Sequence, residues 1–193
     1  MLLPALNSAR ERARTTQCLS NMKQISLACA SYMDLSNGYM PNYSCNIGYE
    51  TDELRRRTWG SILVFLNLIT PQPFICPVLD AVRTVNNGVF PAAQVNVIGT
   101  YVSYGMPYEA HTVGRGIKSE YSHCRASLGR HPSKLFVAMD SRQGGSFTKG
   151  SFKVTRRMRD SSLSSYGFPH TRHQGSAIIG HLDGHSAPED RSG

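Results

Sequence analysis

The chain has 193 residues, of which 40% are hydrophobic and 18% charged, and this suits one domain with a core of its own. No apolar run approaches the roughly 20 residues that a bilayer-spanning helix needs, and the longest, Ile62 to Ile69, is broken by Asn67. Lys and Arg outnumber Asp and Glu 21 to 13, a net charge of +8, which reads first as an arginine-rich surface and second as contact with an anionic polymer or surface: lipid headgroups, acidic polysaccharide or DNA.

In chain order, Met1 to about Met33 predicts one long amphipathic helix. Leu2, Leu6, Ala9 and Ala13, then Cys18, Met22, Ile25, Cys29 and Tyr32, fall in steps of three and four on one stripe, with a skip near Thr15–Gln17. Arg10, Arg12, Arg14, Lys23 and Gln24 occupy the opposite side. Asn37-Gly38 supplies the stop, because glycine accepts the left-handed conformation that ends many helices, and Pro41 forbids continuation. At about 1.5 Å per residue such a rod spans roughly 50 Å, longer than the domain the remaining chain would build, so one end should project. Leu2, Leu3, Ala5 and Leu6, uncharged until Arg10, mark the first end as the projecting one.

Thr51 or Asp52 can cap a second helix through Leu54, Trp59, Ile62, Leu63 and Leu66, with Trp59 as a core anchor. Phe74–Cys76 reads as a short edge strand stopped by Pro77, and Val95–Val102 as the first long strand. Leu135–Met139 reads as a short buried strand and Phe147–Val154 as a further one. Ala177–Leu182 should be a strand that turns at Asp183-Gly184 and returns through His185-Ser186-Ala187, Asp-Gly between extended residues being a strong hairpin signal. The sum is an α+β fold, a long N-terminal helix packed on an antiparallel sheet of about four or five strands. It divides into a helix over residues 1–38, apolar at 1–9, and a globular head over 39–193.

Five cysteines are an odd number. Cys18 and Cys29 share a helix face but are separated by about 16 Å of rise, beyond disulfide reach. Cys45 and Cys76 flank the second helix in loop-like sequence and are the preferred pair if the compartment is oxidising, leaving Cys124 to pair with a helix cysteine or stay free.

The first 41 residues, MLLPALNSARERARTTQCLSNMKQISLACASYMDLSNGYMP, resemble the segment that follows the hydrophobic signal in bacterial type IV pilin-like and type II secretion pseudopilin-like proteins. A second mark of one such group, the prepilin-processing-associated H-X9-DG motif, is matched by His173 and, after nine intervening residues, Asp183-Gly184. Trp59, Cys76-Pro77, Tyr104-Gly105 and the apolar run into Asp140-Ser141 are weaker echoes. The resemblance implies a helix-on-sheet subunit whose upstream apolar helix anchors it in the inner membrane and later packs in a filament, with the head periplasmic or extracellular. It implies homologous pilin-like subunits as partners, Leu2, Leu3, Pro4, Leu6 and Ala9 as the assembly end of the helix, and no small-molecule substrate. The leader, its cleavage site and most of the apolar anchor typical of such proteins do not stand in this sequence, and Met1 is expected to be an artificial or internal start.

The chemistry candidates are few. His170, His173, Asp183 and His185, with His181, offer imidazoles and a carboxylate suited to zinc or another divalent ion. The plainer reading, preferred here, has Asp183 shaping its turn and His173 bonding a nearby carbonyl, with no cofactor. No G-x-S-x-G elbow, phosphate loop or C-x2-C spacing occurs, and Asp140 has no evident acid–base partner. The expectation is therefore a structural subunit, not an enzyme. A carbohydrate- or DNA-binding module on a pilin stalk is the alternative, and a metal-dependent hydrolase the third reading.

Overall fold

A computed structural model describes residues 2–41, 44–45, 57–79, 102–107, 131–144, 150–155 and 167–190. Helix α1 runs Leu2–Leu35, as the stripe requires. Its end is a left-handed pair rather than glycine alone: Asn37 has φ 53° and Gly38 φ 82°. The Gly38 N–H then reaches back to the Met33 carbonyl at 2.8 Å, satisfying a carbonyl that the helix leaves open.

Two two-residue strands, β1 (Ser44–Cys45) and β2 (Arg57–Thr58), pair antiparallel and lead into the short helix α2, Trp59–Phe65. The main sheet holds β3 (Tyr104–Pro107), β4 (Phe136–Gln143), β5 (Lys153–Val154), β6 (Gly167–Pro169), β7 (Ala177–His181) and β8 (Ser186–Glu189). Its order is β3-β5-β6-β4-β7-β8, with β3 also pairing β4. The α+β class is as expected, but among the described residues the sheet has six strands and is mixed, since β5 runs parallel to both β3 and β6.

Other local expectations need correcting. Phe74–Cys76 is not a strand: Gln72–Phe74 is a turn of 3-10 helix, because Pro71 and Pro73 lack ladder donors and hold φ near its helical value. β4 runs on through Asp140, Ser141, Arg142 and Gln143, beyond the apolar run that marked it. Of the expected strand Phe147–Val154, only Lys153–Val154 is strand among the described residues, and residues 147–149 lie outside them. Residues 51–56, the expected start of the second helix, and 95–101, most of the expected first long strand, lie outside the described residues.

One core joins helix and sheet. Cys18, Met22, Ile25 and Cys29 of α1 are fully buried against Trp59, Leu63, Phe74, Tyr104, Val137 and Ile178. Trp59 is the anchor the sequence indicated, donating Nε1–H to the Phe152 carbonyl at 2.8 Å and meeting Phe74 edge-on at 5.4 Å. Helix α1 crosses β7 at Gly180, where an added Cβ would collide with Ser26 Oγ and come within 2.9 Å of Met22 Cγ. The first part of α1 is different: residues 3–10 are all exposed, with Leu3 at 75% and Leu6 at 58%. No helix among the described residues is long and apolar enough to cross a membrane.

Candidate functional site

The site begins with a fork in the sheet. Up to Met139, β4 pairs with β7, and from Ser141 it pairs with β6, so its partner changes at Asp140. The connection from β6 to β7, residues 170–176, fills the gap. It is held by the His170 N–H on the Asp140 carbonyl at 3.0 Å and by a two-way bridge between His173 and Ser176. This turn places the Arg172 and His173 side chains against the Asp140 carboxylate.

Asp140 is wholly buried. Its Oδ2 accepts the Ile178 N–H at 2.7 Å and lies 3.4 Å from His173 Nε2, while Oδ1 lies 3.2 Å from Arg172 Nε. Arg172 Nη2 donates to the carbonyls of Ser103 and Ser141, at 2.9 and 2.6 Å, so the guanidinium ties three chain segments together. Burial raises the Asp140 pKa to about 6 even though Arg172 and His173 favour its charged form.

Helix α1 closes the site from above. Thr15 Oγ1 lies 3.4 Å from His173 Nδ1, Asn21 Nδ2 donates to the Ile75 carbonyl at 3.0 Å, and Cys18 Sγ lies 3.0 Å from Cys76 Sγ. Cys76 is pinned on its other side by its N–H to Ser103 Oγ at 2.8 Å, and its sulfur is 3.6 Å from His173 Nε2. The contact moves the two thiols in opposite directions: the Cys18 S–H, with His173 and Arg172, holds the Cys76 pKa down, and the same contact and burial push Cys18 up. Tyr104, buried beside them, is pushed up chiefly by burial.

The expected Cys45–Cys76 bridge is not formed. Cys76 is a free thiol, and the sulfur it faces is Cys18, because α1 lies across the turn that carries Cys76. Cys18, Cys29 and Cys76 are all buried free thiols, and Cys124 lies outside the described residues.

The candidate ligands His170, His173, Asp183 and His185 are not gathered into one set. His173 precedes β7 and Asp183 follows it, and a five-residue strand spans about 16 Å. Asp183 instead makes its own turn, accepting the His185 N–H at 3.2 Å and bonding His185 Nδ1, with Gly184 at φ 88°. The partner of His185 is His181, its ring stacked at 4.0 Å between centroids, with His181 Nε2 3.4 Å from Glu189 Oε1. His170 has its backbone on Asp140 and a buried Nδ1 without a hydrogen-bond partner among the described residues.

One group among the described residues has metal-ligating atoms within 4.8 Å of one another: Cys18, Cys76 and His173. Two sulfurs and an imidazole suit zinc or copper(I) chemically. The sulfurs, however, are 3.0 Å apart, whereas two thiolates on a tetrahedral zinc would stand about 3.8 Å apart.

The fold and site thus define an α+β domain with a long helix stitched to a mixed sheet by a buried polar cluster. Residues 7–181 match the family described as "Protein of unknown function (DUF1559)", and the chain belongs to that family. No curated protein and no solved structure matches it. The matched span contains Cys18, Cys76, Asp140, Arg172 and His173, and ends at His181, before Asp183-Gly184 of the H-X9-DG spacing.

Proposed function

We propose that the protein is a pilin-like structural subunit that assembles through the exposed first part of α1 and displays the sheet domain outward from the bacterial cell envelope. The observation behind this reading is the split personality of one helix. From Cys18 onward its stripe is buried on the sheet, while Leu3 and Leu6 stand 75% and 58% exposed. A large apolar side chain left in water at a helix end is a liability that association removes. Membership of DUF1559, a family commonly associated with pilin-like and pseudopilin-like proteins, supports the same reading.

The mechanism is packing rather than catalysis. Copies lie with Leu2, Leu3, Leu6 and Ala9 against neighbouring helices, with Pro4 kinking or loosening the turn it sits in. Each leucine fully buried contributes about 2 kcal/mol, repeated at every subunit. The filament is a pilus-like or secretion-type pseudopilus-like assembly, with the natural gene product held at the inner membrane before it assembles. The test is Leu3→Asp with Leu6→Asp in that product: filaments in the sheared surface fraction should be lost while the melting temperature of the 193-residue chain changes by less than about 2 °C. Filaments at wild-type levels would refute the assignment.

A further inference from the structure

Cys18 and Cys76 are both fully buried, and their sulfurs lie 3.0 Å apart, closer than non-bonded sulfurs ordinarily sit. The segments that carry them are positioned independently of the sulfurs. Asn21 of the helix donates to the Ile75 carbonyl, and the Cys76 N–H donates to Ser103 Oγ. The juxtaposition therefore belongs to the fold. Cys29 is equally buried but lies about 16 Å further along the same helix, out of reach of this pair.

We propose that Cys18 and Cys76 form a disulfide that fastens the long helix to the sheet domain. The oxidant is a disulfide of the surrounding compartment, oxidised glutathione or the disulfide of a thiol oxidase. Cys76 as thiolate attacks one sulfur of that disulfide, forming a mixed disulfide and releasing the first thiolate. Cys18, deprotonated in turn, attacks the Cys76 sulfur, forming the Cys18–Cys76 bond and releasing the second thiolate. The two cysteine protons end on the two released thiols, the protein losing two electrons and the oxidant gaining them. Both sulfurs are closed off once α1 is docked, so the exchange takes place before docking, and the finished bond is shielded from reductant. The bond joins positions 58 residues apart in sequence. Its mechanical meaning rests on the assembly reading: a head whose helix is gripped by neighbours stays attached even when the packing between helix and sheet opens. The bond itself does not rest on that reading.

The experiment uses the full 193-residue chain, unfolded, reduced and refolded in a glutathione redox buffer, then denatured with iodoacetamide and digested for mass spectrometry. The expected result is a linked peptide pair containing Cys18 and Cys76, released by dithiothreitol, with Cys29 alkylated. The oxidised chain should also melt about 10 °C above the reduced chain. The Cys29→Ser chain should give the same linked pair, which keeps the outcome readable if Cys18 or Cys76 variants do not fold. Cys18 and Cys76 both alkylated after refolding would overturn the proposal. So would stoichiometric zinc in protein purified without chelator, retained by Cys29→Ser, since the thiols would then serve as ligands. The readout is a peptide mass in isolated protein, so failure of this bond and failure of filament assembly are told apart.

Discussion

Asp140 and His170 meet across one backbone hydrogen bond, and the fold treats their protons oppositely. Burial, then the guanidiniums of Arg172 and Arg142, hold the His170 pKa down to about 4 from an ordinary 6.5. A depressed folded pKa means that the contribution of neutral His170 is intact above pH 6.5 and lost as pH falls toward 4. Asp140, raised to about 6 from 3.8, works the other way: the folded state holds its proton more tightly than the unfolded chain, so stability is gained as pH falls from 6 to 4. The two windows overlap and oppose. His170→Gln removes the first, so the melting temperature of the variant relative to wild type should rise steadily between pH 7 and 4.5. A difference that stays constant or falls over that range would contradict the assignment.

At the scale of elements, the meeting of α1 with β7 is set by Gly180, the only residue small enough to let Met22 and Ser26 lie directly on the strand. Gly180→Val forces those side chains apart and should destabilise the domain by about 2 kcal/mol in urea denaturation, the usual scale of overpacking. An unchanged midpoint would show that the helix is not seated there. The elements themselves were largely legible. The Cys18-Met22-Ile25-Cys29 stripe is a local periodicity, and the Asp183-Gly184 turn is a local dipeptide preference, so short-range pattern sufficed for both. The extension of β4 through Asp140 and Arg142 was not, because polar residues normally mark a strand end, and here a fork in the sheet gives the carboxylate its partners. The site was legible only in pieces. His173 and Asp140 each stood out, but Cys18 meets Cys76 across 58 residues and Thr15 meets His173 across 158, and no spacing rule reaches that far. The same limit explains the choice of Cys45 for Cys76. The residue that sequence reasoning passed over altogether is Arg172, one arginine among many, whose role comes from the turn between β6 and β7.

For the whole molecule, the governing fact is that a helix of 34 residues, about 50 Å long, is packed on the sheet along only part of its length. The C-terminal part shares the core with α2 and the sheet, while residues 3–10 face solvent with two exposed leucines among them. In the proposed assembly, this is the end that copies of the chain would share. The buried cluster of Asp140, Arg172, His173, Cys18 and Cys76 then has a mechanical sense, holding the head to the rod just where the rod leaves the core. The direct measurement is photo-crosslinking in intact cells, with a photoreactive phenylalanine analogue in place of Leu6 of the natural gene product and, as a control, in place of exposed Gln174. The position 6 probe should yield adducts with the mass of two and more copies of the same chain, and the position 174 probe few or none. Adducts of position 6 only with its own chain would contradict the shared helix.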